Sequence, residues 1–146
     1  MTAKPIDILL VEDNEDDVVL IREAFAEGKM TNNVSIAHNG EEALAYLRGE
    51  GPFKDAPLPG IVLLDINMPK KNGFEVLTEL KADPRLKALP VIMLTVSERE
   101  EDIIRSFSEG ACSYVRKPVT LSRFITVVKE FELYWTLVSR IPSITR

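Results

Sequence analysis

Apolar runs and helically spaced apolar residues alternate along the whole chain. "IDILLV" at Ile6–Val11 reads as a buried strand. In the next stretch, "EDDVVLIREAFAEG", Val18, Leu20, Ile21, Ala24 and Phe25 return at helical spacing, and Gly28 supplies a stop. "NVSIAHN" at Asn33–Asn39 predicts a second strand, and "GEEALAYLRGE" a short helix with Ala43, Leu44 and Leu47 facing inward. A loop rich in proline and glycine, "GPFKDAPLPG", separates these from a third strand, "IVLLD", ending at Asp65. "NGFEVLTELKADP" predicts the third helix, which ends before its proline because the residue preceding proline avoids helical geometry. "PVIMLT" at Pro90–Thr95, "EREEDIIRSFSEG" closed by Gly110, and "CSYVRKP" give a fourth strand, a fourth helix and a fifth strand. A last helix begins near Leu121.

Three of the strands are unbroken apolar runs, as strands covered on both faces should be. The pattern therefore predicts an α/β fold: a doubly wound, five-stranded parallel sheet with helices on both faces. Right-handed crossovers restrict its topology further.

Composition narrows the class of function. At 146 residues the chain is sized for one domain, with 45% hydrophobic and 28% charged residues. A net charge of −5 and the lack of a basic cluster argue against a nucleic-acid partner. No apolar run is long enough to span a membrane, and the N-terminus lacks the apolar stretch of a signal peptide. The single cysteine, Cys112, permits no internal disulfide, which fits a reducing cytoplasm. It is expected to pack as a small apolar residue at the start of strand five.

Ligands of open parallel sheets bind at the carboxyl ends of the strands. Strand one ends in Glu12 and Asp13, strand three in Asp65, strand four in Thr95 and strand five in Lys117. Each has an ordinary reading when taken alone. Acids favour helix starts and turns, and a lysine is usually a surface residue. Three acids, a hydroxyl and an ammonium at one sheet edge are less ordinary. Crowded carboxylates repel, and a hard dication relieves that repulsion; Mg²⁺ takes one or two carboxylates plus phosphate oxygens. Carboxylate nucleophile, metal, cation and hydroxyl together suit an aspartate that becomes phosphorylated.

Those residues resemble the receiver domains of two-component response regulators. The matching pieces are "LLVEDN", "LLDINMP", "NGFE", "MLT" and "YVRKP", in that order from about Ile6 to beyond Thr120. The resemblance implies strand order 2-1-3-4-5, the flavodoxin-like arrangement. It implies that Asp65 is the phosphoacceptor, taking its phosphoryl group from a histidine kinase. Asp13 would bind Mg²⁺ directly, with Mn²⁺ as a substitute, Glu12 would assist, and Asn67 would give its backbone carbonyl. Thr95 and Lys117 would meet the phosphoryl oxygens, with Pro118 following in cis, and Tyr114 would be the aromatic switch that follows Thr95. The protein would be no conventional enzyme, only self-phosphorylating and autodephosphorylating. Val96, where many receivers carry a smaller residue, would slow that turnover. The loop "GEGPFKDAPLPG", the run "DINMPKKNGFEVL" and the ending "FELYWTLVSRIP" resemble the single-domain response regulators that partner bacterial and cyanobacterial phytochrome kinases.

Three other readings compete. An aspartyl phosphatase generally wants a second acid two residues after its nucleophile, where Asn67 stands. A flavin-binding protein wants a phosphate loop after strand one, where only acids follow. A receiver-like module that takes no phosphate would not need Asp13, Asp65, Thr95 and Lys117 together.

The receiver is expected to span 1–131, with no output domain after it. Residues 132–146 would extend the last helix as a tail. Phe131 ends the inward stripe of that helix, and Leu133, Tyr134, Trp135, Leu137 and Val138 exceed what a small sheet can cover. With the resemblance, this predicts a homodimer through the fifth strand and the last helix with its tail, at Phe131, Tyr134, Trp135 and Val138. His38 is expected at the end of strand two as a surface residue, and "PKK" at Pro69–Lys71 as a solvated loop.

Overall fold

The computed structural model describes residues 7–27, 33–96, 99–117, 120, 122–123 and 126. Five parallel strands run in the order β2-β1-β3-β4-β5: β1 (Ile8–Val11), β2 (Val34–Ala37), β3 (Ile61–Asp65), β4 (Val91–Thr95) and β5 (Ser113–Arg116). Between them lie α1 (Glu15–Glu27), α2 (Gly40–Arg48), α3 (Gly73–Ala82) and α4 (Glu100–Ser108). A short 3-10 turn occupies Gly51–Phe53, inside the loop expected from its proline and glycine content. This is the doubly wound sheet that the apolar pattern predicts. Ser122, Arg123 and Thr126 are helical, in keeping with a last helix near Leu121. The rest of that helix, Gly28, Pro118 and the whole tail, with Phe131, Tyr134, Trp135 and Val138, lie outside the described residues.

The strands are apolar throughout because both faces are covered. Successive side chains of a strand point to opposite faces. Ile8, Leu10, Ile61, Leu63, Ile92, Leu94 and Val115 therefore form one core with Val18, Ile21 and Phe25 of α1. Leu9, Val11, Val62, Leu64, Val91 and Met93 form the other, with Leu44 and Leu47 of α2 and Phe74, Leu77 and Leu80 of α3.

Local chemistry sets the helix ends. Asn14 Oδ1 accepts from the Asp16 and Asp17 N–H groups at 2.9 and 3.1 Å, capping α1. Asn39 caps α2 in the same way, and Gly49 closes it with a left-handed φ of 68°. Asn72 and Glu75 form a reciprocal capping box at the start of α3.

Two expectations need correction. Leu20 is 47% exposed, not inward. It sits two residues from Val18, about 200° around the helix, so the buried stripe runs through Val18, Ile21, Ala24 and Phe25. Cys112 precedes β5 and is exposed; its N–H donates to the Val91 carbonyl at 2.9 Å.

One close approach positions the functional residues. A Cβ on Gly73 would lie 2.4 Å from the Asp65 carbonyl oxygen and 2.8 Å from the Ile66 Cα. Only glycine lets α3 begin directly against the end of β3. Gly73→Ala is expected to lower unfolding free energy by about 1–3 kcal/mol, the usual cost of overpacking. Urea unfolding of the two proteins checks this; an unchanged midpoint would mean the backbone has room to move.

Candidate functional site

The strand order changes direction between β1 and β3, so their carboxyl ends flank a crevice. Val11 pairs with Leu64, which puts the next residues, Glu12 and Asp65, side by side at its floor. Both are buried, at 0% and 4% exposure, and Thr95 at the end of β4 is buried too. Buried carboxylates need partners. Lys117 follows β5, and its N–H donates to the Thr95 carbonyl at 2.7 Å. Its side chain reaches back past β4, bringing Nζ to 2.7 Å from Glu12 Oε2, 3.2 Å from Asp65 Oδ1 and 3.0 Å from Asp17 Oδ2.

The charges of this group shape one another. Burial pushes the Glu12 carboxyl up to about 7, and the Asp65 charge adds to that, while the Lys117 hydrogen bond works against both. Burial likewise raises the Asp65 carboxyl, opposed by Lys117. Burial alone would lower the Lys117 ammonium. The hydrogen bonds it donates to Glu12 and Asp17, with the charges of Asp65 and Glu12, outweigh it and raise the ammonium instead.

Asp13 lies exposed at the rim. One oxygen each from Glu12, Asp13 and Asp65 lie within 4.8 Å of one another. An all-oxygen donor set of that spacing fits a hard divalent cation. Asn67 is exposed in the loop after β3, and its N–H donates to Asp65 Oδ1 at 3.4 Å. That loop is closed by the Gly73 N–H on the Ile66 carbonyl at 2.8 Å, and Lys70 within it takes a left-handed φ of 67°. Pro69 and Lys70 are exposed, as expected of a solvated loop, while Lys71 is half-buried: its ammonium pairs with Glu79, and its Cβ and carbonyl lie against Gly40.

Tyr114 packs partly buried against the α2 and α3 core and meets Phe107 of α4 edge-on, with centroids 5.9 Å apart. Val96 is 66% exposed. His38 follows β2 at the surface, between Glu15 at 3.6 Å and Glu42 at 3.4 Å.

The structure thus brings Glu12, Asp65, Thr95 and Lys117 together, with Asp13 and Asn67 at the edge. Sequence reasoning missed Asp17. The acids of "EDNEDD" can all be assigned to the helix start, and only the folded chain brings one of them, Asp17 in the first turn of α1, to 3.0 Å from the Lys117 ammonium.

A parallel sheet in this order with an acid pocket at its switch point is the arrangement that the receiver motifs imply. The chain belongs to the response regulator receiver domain family, which it matches over residues 8–129. Response regulator Rcp1 of Synechocystis sp. is 36% identical over 136 residues, covering 93% of this chain and 92% of that one. The probable methanogenesis regulatory protein FilR2 of Methanothrix harundinacea is 40% identical over 140 residues, 95% of this chain and 89% of its own. Among solved structures, the phosphorylated cyanobacterial phytochrome response regulator RcpA superposes with a TM-score of 0.77 at 43% identity, over 91% of this chain and 95% of its own. The Mn²⁺-bound form of Rcp1 gives 0.76 at 34% identity, over 97% of this chain and 100% of its own.

The Glu12 carboxyl has a measurable consequence for stability. Its folded value of about 7 lies above the ordinary 4.5. Its contribution is therefore fully present below the ordinary value and is lost as pH rises through the folded one. In metal-free buffer at pH 8, Glu12→Gln is expected to raise the melting temperature by about 5 °C. At pH 4.5 the two proteins should melt together; a variant less stable at both values would show that the Lys117 pair outweighs desolvation.

Proposed function

We propose that this chain is a single-domain response regulator that takes a phosphoryl group from a histidine kinase onto Asp65, with Mg²⁺ as its metal. The observation that carries this reading is the buried Asp65 carboxylate 3.2 Å from the Lys117 ammonium, with carboxylate oxygens of Glu12 and Asp13 within 4.8 Å. In the transfer, an Asp65 oxygen attacks the phosphorus of a phosphohistidine. The P–N bond breaks and its electron pair returns to the imidazole nitrogen. Water later attacks the acyl phosphate, releasing inorganic phosphate and restoring the carboxylate. The group acted on is the protein's own side chain, so the cycle is self-phosphorylation and autodephosphorylation.

Glu12, Asp13 and Asp65, with the Asn67 backbone carbonyl, would hold Mg²⁺, and Mn²⁺ would substitute. Bound there, the ion supplies positive charge against the phosphoryl oxygens. Lys117 donates an N–H to one of those oxygens and the Thr95 hydroxyl donates to another. Movement of Thr95 toward the phosphoryl group opens space that Tyr114 follows, changing the surface of α4 and β5 that a downstream partner reads.

The likeness to RcpA supports a phytochrome-type kinase as donor. No helix among the described residues is long and apolar enough to cross a membrane, and the net charge of −5 gives nucleic acid little to hold. A cytoplasmic location is proposed because the single cysteine, Cys112, permits no internal disulfide, which suits a reducing compartment. The receiver spans 1–131 in this reading, and a homodimer would form through the fifth strand and the last helix with its tail at 132–146, using Phe131, Tyr134, Trp135 and Val138.

Acetyl phosphate with Mg²⁺ should add one phosphoryl group to the wild type and none to Asp65→Asn, read by intact mass. Label on the variant would place the acceptor elsewhere. Sedimentation tests the dimer: the wild type should be dimeric at tens of micromolar, roughly the range of a modest interface, and Trp135→Ala monomeric. A monomeric wild type at that concentration ends the dimer proposal and leaves the phosphoacceptor reading standing.

A further inference from the structure

Among the described residues, Asp17 is the one partner of the Lys117 ammonium that comes from a helix; Glu12 and Asp65 come from strand ends. An ammonium carries three N–H donors, and here three carboxylate oxygens stand at 2.7, 3.0 and 3.2 Å. The three differ in depth. The Glu12 side chain is 0% exposed and Asp65 5%, while Asp17 is 27% exposed. Lys117 is thus drawn to the floor by two partners and to the mouth by one.

We propose that Asp17 is a positioning residue for phosphoryl transfer, holding the Lys117 ammonium at the mouth of the pocket against the inward pull of Glu12. The inference rests on the reading of Asp65 as the phosphoacceptor. A lysine on four methylenes settles wherever its charge is best met. Without Asp17 the remaining partners are both buried, so the ammonium sinks between them and covers the Asp65 oxygen that has to reach phosphorus. With Asp17, one N–H stays committed to the side from which the donor arrives. When the acyl phosphate forms, negative charge moves outward from Asp65 onto the phosphoryl oxygens, and an ammonium already held outward meets it with little movement.

A plain helix-start role competes with this one, because acids in a first turn meet the positive end of the helix. Asp16 separates the two. It lies in the same turn, is exposed, and its backbone N–H bonds the same Asn14 oxygen.

The test compares the wild type with Asp17→Asn, Asp17→Glu and Asp16→Asn under saturating Mg²⁺. The rate of acetyl phosphate labelling is followed by intact mass across donor concentration. At saturating donor, Asp17→Asn is expected to fall about fivefold, Asp17→Glu to stay within about twofold of the wild type, and Asp16→Asn to be unchanged. Circular dichroism confirms that each variant is folded. A wild-type rate in Asp17→Asn, or an equal loss in Asp16→Asn, overturns the proposal while leaving Asp65 as the acceptor. A wild type that takes no label at Asp65 removes both readings.

Discussion

One ammonium among carboxylates governs the arrangement of this protein. Four acids, Glu12, Asp13, Asp17 and Asp65, gather at one edge of the sheet, two of them buried, and Lys117 is the cation placed among them. Burying a charge without a partner costs far more than a pair contributes. The position of Lys117 is therefore a condition for the strand ends to be acidic at all. It depends on β5 lying two strands from β3, which the order of the sheet provides. The pocket is left with more negative than positive charge, which is the condition a divalent cation relieves.

The two rims of that pocket are held by different means. On the β3 side, the loop from Ile66 to Asn72 closes on itself, is pinned by the Lys71–Glu79 pair, and runs under Gly40 and into Gly73. On the β1 side, Asn14 fastens the start of α1 through two backbone N–H groups, and the Asn14 N–H donates to Glu12 Oε1 at 3.2 Å. Both rims thus connect to the buried carboxylates through the backbone, so side chains placed there inherit fixed positions.

Much of this was legible in the residue pattern. Unbroken apolar runs mark strands covered on both faces, and their ends must then meet at one edge; Glu12, Asp65, Thr95 and Lys117 follow from that alone. Asp17 did not follow. Its contact joins α1 to a lysine 100 residues further along the chain, and no local pattern encodes a contact of that range. Leu20 misled because "VVLI" is apolar without a polar break, so composition could not say which residue faces water. Cys112 misled by standing one residue before β5. The role of Lys71 was hidden because Glu79 lies eight residues away, across the start of α3.

The sheet is also a bulkhead. Its even-numbered residues in β1 border the α1 compartment and its odd-numbered ones the α2 and α3 compartment, and among the described residues the two apolar clusters share no member. Replacements on opposite sides should therefore act almost independently on stability. Lineages can redraw the interior beneath α1 without compensating beneath α2 and α3, and drift in one chamber leaves the other free to stay as it was.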